Sequence, residues 1–289
     1  MNIEEGSSFH TRIFHAPAIS FRLTGALTAL ALLGAIIAVF GTAAASLPTL
    51  AGIFMTAWLA ISVAVTLLIT PRCFVAGFLG GLLAMLVGWR VAGLHGVAWV
   101  TYPLLAAFAA FVLQFFDCVR ADRQGGGNSL LGVADWHLTF IRIYIGFDMV
   151  PHFTEKLFAG SGPFMDDVRA FAGFGLPAPE FFVILGGLCE LGIAIGIGMG
   201  LLTRLAAVGA TLYFLIATIA GGHFGLGFIW ASPGGGWEYP VLMMILYIGF
   251  AVRGGGAFSL DSLFISSGLV PAWLRMLMTP EAASPTKTA

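Results

Sequence analysis

Charge is what this chain has least of. Asp, Glu, Lys and Arg make up 9% of its 289 residues, against roughly 25% in a soluble domain. So few charges cannot cover a globular surface, and a water-soluble fold is excluded. The net charge of −1 offers no basic field to attract a polyanion, so nucleic acid is not an expected partner. Cysteine is scarce as well. Cys73, Cys118 and Cys189 form no C-x-x-C pair and stand at no metal-ligand spacing; they read as inert apolar thiols. There is no P-loop, no Rossmann glycine pattern after a strand and no serine elbow. Barrel strands would alternate apolar and polar residues over about 10 positions, and that alternation is missing too. No cleavable signal is expected, because the first apolar run begins near Phe21 after a polar tail and is long enough to be a retained anchor.

Apolar residues are abundant, at 59%, with a mean hydropathy of +0.97 and 39 glycines. The apolar runs are continuous and about 20 residues long, the length a helix needs to cross a bilayer core. The expected fold is an all-α integral membrane protein with eight transmembrane helices. They fall at about 20–40, 48–70, 73–94, 97–117, 136–159, 179–202, 204–222 and 239–253. An even number puts both termini on one side. Arg12, Arg22, Arg72, Arg120, Arg123, Arg204, Arg253, Arg275 and Lys287 share that side, while Arg90, Lys156 and Arg169 lie opposite. Basic residues favour the cytoplasm, so both termini are expected there, with the loop 160–178 outside.

The chain also repeats itself. LLITPR (67–72) and LLTR (201–204) each close a second span. WVTYP (99–103) and WEYP (237–240) each open a fourth span. VRADRQGGGNSLL (119–131) and VRGGGAFSL (252–260) each follow one. Arg72 precedes Arg120 by 48 positions and Arg204 precedes Arg253 by 49. These matches predict two four-helix repeats running the same way through the membrane, related by an axis along its normal. The expected divisions are 1–134, a degenerate first repeat; 135–265, the second repeat; and 266–289, a cytoplasmic tail.

The halves differ in ionisable content. The first has almost none inside a span, whereas the second has several, and intramembrane charges mark function by default. Span five carries Arg142, Asp148, His152, Glu155 and Lys156. Asp148, His152 and Glu155 fall within roughly 60° of one another on a helix. Glu190 lies about 15 Å below the outer end of span six, where a carboxylate needs a proton or a cation; Arg142 and Lys156 are the nearest cations by depth. With His223 and Glu238 these residues make up a candidate polar pocket for protons and a small polar or quinone-like ligand. A salt-bridge network holding helices at the rim is the competing reading. A haem needs axial ligands on facing helices. His152 and His223 offer one pair and His137 has no mate, so neither haem nor a metal site is expected.

The second half resembles the DoxX family of small four-span membrane proteins. The resemblance rests on RIYIGFDMVPHFTEKLF (142–158), FGLPAPE (174–180), GGLCELGIAIGIGMGLLTR (186–204), WEYPVLM (237–243) and RGGGAFSLD (253–261), within 136–261. It implies a bacterial inner-membrane protein whose relatives include the DoxD-type subunit of thiosulfate:quinone oxidoreductase and membrane partners of redox complexes. Two functions follow. One is a non-enzymatic membrane component, either a small-molecule carrier or a scaffold in a membrane complex. The alternative is the membrane subunit of a quinone-linked oxidoreductase, with a quinone as cofactor and a redox or periplasmic protein as partner. The lipid bilayer is the partner in both.

Overall fold

The computed structural model describes residues 49–124, 131–268 and 270–278, with two isolated positions, Ala26 and Leu30. The expected first span, the glycines 125–127 and the tail beyond 278 lie outside the described residues. Among the described residues every regular element is helical. Helix α1 (Thr49–Ala64) ends in a π-helical turn, Val65–Ile69. Then come α2 (Phe74–Leu94), α3 (Thr101–Gln124), α4 (Val133–Phe147), α5 (Val150–Leu157) and the short connecting helix α6 (Ser161–Gly173). Helix α7 (Pro179–Ile193) again ends in a π-helical turn, Ala194–Gly200. Helices α8 (Thr203–Ala220), α9 (Glu238–Arg253), α10 (Leu260–Ser266) and α11 (Ala272–Arg275) follow.

Among the described residues five helical runs are long and apolar enough to cross a membrane: Thr49–Ile69, Phe74–Leu94, Thr101–Arg123, Pro179–Gly200 and Thr203–Ala220. Two expected spans depart from that standard. Span five is broken into α4 and α5 at Asp148 and Met149. Pro151 explains the break, because its ring lacks an N–H and clashes with the carbonyl four residues back, that of Phe147. The helix of span eight, α9, has 16 residues. Helix α3, by contrast, outruns its apolar stretch and continues to Gln124. Hydropathy fades near Asp117, but backbone hydrogen bonding continues.

The core is apolar, but so is much of the exterior, unlike a soluble protein's. Leu205, Leu212, Ile216 and Ile219 on α8 and Leu242, Ile245, Ile248 and Val252 on α9 are exposed. Ser62, Thr66, Gln114, Thr139, Thr203 and Thr218 are buried. Hydrocarbon wets the first set at no cost, whereas small polar side chains act as interhelical contacts in lipid.

By packing, the chain divides into two compact units, Met1–His137 with Phe147–Leu191, and Leu138–Gly146 with Gly192–Ala289. In the first unit α2 is the central helix, lying against α1, α3 and α5. Phe78 meets Phe111 and Phe115, at ring distances of 5.7 and 6.0 Å. Ser62 donates to the Gly81 carbonyl at 2.8 Å. A side chain at Gly77 would run into Thr70, so the α1–α2 approach requires glycine there. In the second unit α8 packs on α9, and Phe214 meets Tyr247 at 5.4 Å. A side chain at Gly146 would collide with the backbone of Gly198; this is the close small-residue approach by which membrane helices associate.

Candidate functional site

Two buried cations organise the polar groups, one in each unit. In the second unit Arg142 is 0% exposed. One terminal nitrogen donates to the carbonyls of Ile197 and Gly198, at 2.6 and 2.7 Å, and the other donates to that of Phe258 at 2.5 Å. Ile197 and Gly198 lie in the π turn that ends α7. Their carbonyls have no helical N–H ahead of them, and a cation is the favoured partner at that end of a helix. Asp261, also 0% exposed, does the converse for the next helix. Its carboxylate accepts from the backbone N–H groups of Leu202 and Thr203, at 2.6 and 2.9 Å, and from the Thr203 hydroxyl at 2.6 Å. These are the orphan donors at the start of α8, where an anion is favoured. Leu202 adopts a φ of +50°, a conformation disfavoured for a residue with a Cβ, and the Asp261 contact holds it there. Burial pushes the Asp261 carboxyl up, while its three donors and Arg142 pull it back. Arg142 and Asp261 thus clamp the α7–α8 turn between opposite charges.

In the first unit the polar centre is built from side chains. Lys156, on α5, lies 3.2 Å from the Glu190 carboxylate, both side chains being almost fully buried. Its ammonium also donates to the His152 carbonyl at 3.0 Å. Glu190 sits near the middle of the run Pro179–Gly200, and Gly187 one turn earlier gives Lys156 its room, since a side chain there would press on the Lys156 Cβ at 3.0 Å. Glu155 turns the other way and pairs with Arg90 of α2 at 3.1 Å. Asp167, on α6, faces Lys156, Glu155 and Glu190, and its Oδ2 is buried with no hydrogen-bond donor. Burial is the chief reason its carboxyl is raised to about 6. Lys156 lowers it, and Glu155, Glu190 and Asp166 raise it further. His95, at the end of α2, bonds the Ala159 carbonyl at 2.7 Å and ties down the α5–α6 link.

The eight residues singled out in the sequence therefore sort into groups. Glu155, Lys156 and Glu190 stand together, with His152 contributing its carbonyl. Arg142 is engaged by the clamp. Asp148 lies half-buried in the break between α4 and α5. His223 and Glu238 stand at the two ends of one loop of the second unit, Glu238 as the first residue of α9. The His223 ring bonds the Gly235 carbonyl at 2.9 Å and lies 5.5 Å from Trp230, and Glu238 accepts from the Trp230 N–H at 3.1 Å. Arg90, Asp167 and Asp261 were not among the eight. Arg90 had a signal, as the sole ionisable residue inside 74–94. Asp261 stood inside a quoted motif. Asp167 sits in a connecting segment whose charges look solvated. Among the described residues no three His, Cys, Asp or Glu side chains gather as a metal site.

Among the described residues, helices with exposed apolar faces, five of them long enough to cross a bilayer, define a multi-pass membrane protein. Its second half carries a family match. Residues 137–223 match the DoxX family, a stretch that includes Arg142, Lys156, Asp167 and Glu190 but not Asp261. No curated protein and no solved structure matches the chain.

Proposed function

We propose that the protein is a non-enzymatic component of the bacterial inner membrane, a carrier of a small polar solute with the charged cluster of the first unit as its binding centre. The observation that carries this reading is the Lys156–Glu190 pair, buried at the middle of a membrane-length helix. Burying two charges for packing alone is poor economy, because an apolar pair of similar volume is commonly as stable. A scaffold has no need of such a pair. The quinone-linked alternative draws on Glu190 with Arg142 for the polar end of a quinone pocket; both terminal nitrogens of Arg142 are committed to backbone carbonyls, and Glu190 lies against Lys156.

Eight spans in two parallel repeats, with both termini cytoplasmic, form the architecture of this reading. Two local features support the repeat. Each expected second span ends in a π-helical turn, Val65–Ile69 and Ala194–Gly200. Each expected fourth span opens with a Tyr-Pro step in its first turn, Tyr102-Pro103 and Tyr239-Pro240. The repeat boundaries, 1–134 and 135–265, describe sequence order and so differ from the packing units.

The test uses the purified full-length protein in liposomes on a solid-supported membrane, challenged with a panel of small carboxylates, amines and zwitterions. A carrier gives a transient current with at least one of them, and the doubly apolar variant K156M/E190L loses that current while staying folded. The reading fails if no solute in the panel gives a current, or if the double variant keeps it.

A further inference from the structure

The cluster of the first unit holds three carboxylates and two cations, and each cation has a carboxylate of its own. Arg90 takes Glu155 and Lys156 takes Glu190. The neighbouring Arg169 pairs with Asp166 at the surface. Asp167 is the third acid; the residue is half-buried, and its inner oxygen, Oδ2, is buried and receives no donor. The charged groups facing it are Glu155 and Lys156 from α5, Glu190 from α7 and Asp166 from its own helix. With every group ionised the five side chains carry one net negative charge. A buried carboxylate oxygen without a donor is costly. A protonated carboxyl brings its own donor and returns the cluster to balance.

We infer that this cluster is a proton-binding site, with Asp167 as the acceptor and Lys156 as the cation that its charge competes for. A proton from water bonds to a carboxylate oxygen of Asp167, and no electrons change hands. Ionised, Asp167 draws on Lys156 against Glu190; protonated, it leaves Lys156 wholly to Glu190. One proton thereby sets how tightly the buried pair is closed. The inference deepens the carrier reading by naming the proton as its co-ion, and it rests on that reading for this last step alone.

The experiment is an infrared titration of the full-length protein in nanodiscs between about pH 5 and pH 8, with no solute present. Wild type should show a carboxylic-acid stretch that grows as pH falls, with its midpoint near about 6. D167N should remove that band. D166N should keep it with a lower midpoint, since Asp166 raises Asp167, and K156M should raise the midpoint. Thermal stability gives a second readout. A carboxyl raised in the folded state binds its proton more tightly there, so stability is gained below the window and lost as pH rises from about 4 to about 6. The melting temperature should therefore rise as wild type is taken from about pH 7 to pH 5 and stay level in D167N. The inference is overturned if no carboxyl titrates above about pH 5 in wild type, or if the band survives in D167N. Because no solute is used, that failure leaves the carrier reading standing, and the current measurement judges the carrier on its own.

Discussion

Arg142 and Lys156 lie 14 positions apart on the stretch expected as span five, and both are buried, yet they are held in opposite ways. Arg142 is met by three main-chain carbonyls. Lys156 is met by a carboxylate, a carbonyl and the field of Asp167. The distinction follows from the two groups. A guanidinium is planar, always charged and presents a fixed fork of donors, whereas an ammonium is a compact charge on a flexible stem. Carbonyls at a helix end cannot titrate and cannot move without unwinding the helix. Carboxylates can do both. A buried cation held by the backbone is therefore part of the frame, and a buried cation held by carboxylates is where charge can be exchanged. Span five supplies one of each.

The comparison implies that the frame is the costlier part to break. R142M leaves three buried carbonyls without donors and removes the counter-charge of Asp261. It should destabilise the protein by about 4 kcal/mol, read as loss of folded material and a lower unfolding midpoint in detergent. R142K, which keeps the charge but not the fork, should recover part of that loss. If R142M proves milder than variants of the Lys156–Glu190 pair, the assignment of frame and working centre is inverted.

The second effect is smaller and reversible. E190Q strands the Lys156 ammonium in a buried site and should cost about 3 kcal/mol. K156M alone leaves the Glu190 carboxylate without its cation, at a similar cost. The double variant K156M/E190L should return most of the stability, because neither charge then needs a partner. A double-mutant cycle in detergent unfolding measures this, and a coupling energy near zero would mean that the two side chains do not depend on each other.

How much of this was legible in the sequence follows the physics of each residue. Hydropathy and length placed helices at every expected span that falls on described residues, because a membrane helix must satisfy its backbone within itself. The break at Asp148 and Met149 was missed because a proline in a membrane-like run is compatible with an unbroken span, and its cost is decided by neighbours. Glu190 stood out because a carboxylate at that depth needs a cation. Depth offered both Arg142 and Lys156 and could not choose between them. The choice turns on which way each side chain leaves its helix, and on the π turn whose carbonyls claim Arg142, neither of which a hydropathy profile contains. Arg90 was read as a topology marker, since a charge near a helix end is cheap and needs no partner. Asp167 carries no signal in the sequence, because the shielding of its Oδ2 comes from the packing of α6 against α5, a property of the tertiary structure.

The smallest effect sharpens the comparison at its edge. Arg90 and Glu155 form an ion pair of the same length as the buried one, 3.1 against 3.2 Å, but their side chains are 36% and 26% exposed. Water and salt screen such a pair, and exposed pairs are commonly worth less than about 1 kcal/mol. R90A should therefore cost under about 1 kcal/mol, and the loss should shrink as salt is raised, whereas the cost of E190Q should hardly respond to salt. The same substitution carries a second consequence. Removing Arg90 leaves Glu155 without its partner and adds to the negative field at Asp167, so the Asp167 midpoint should move upward in R90A. A salt-insensitive loss of stability as large as that of E190Q would place Arg90 with the buried centre. An unmoved Asp167 midpoint would separate the Arg90–Glu155 pair from the cluster altogether.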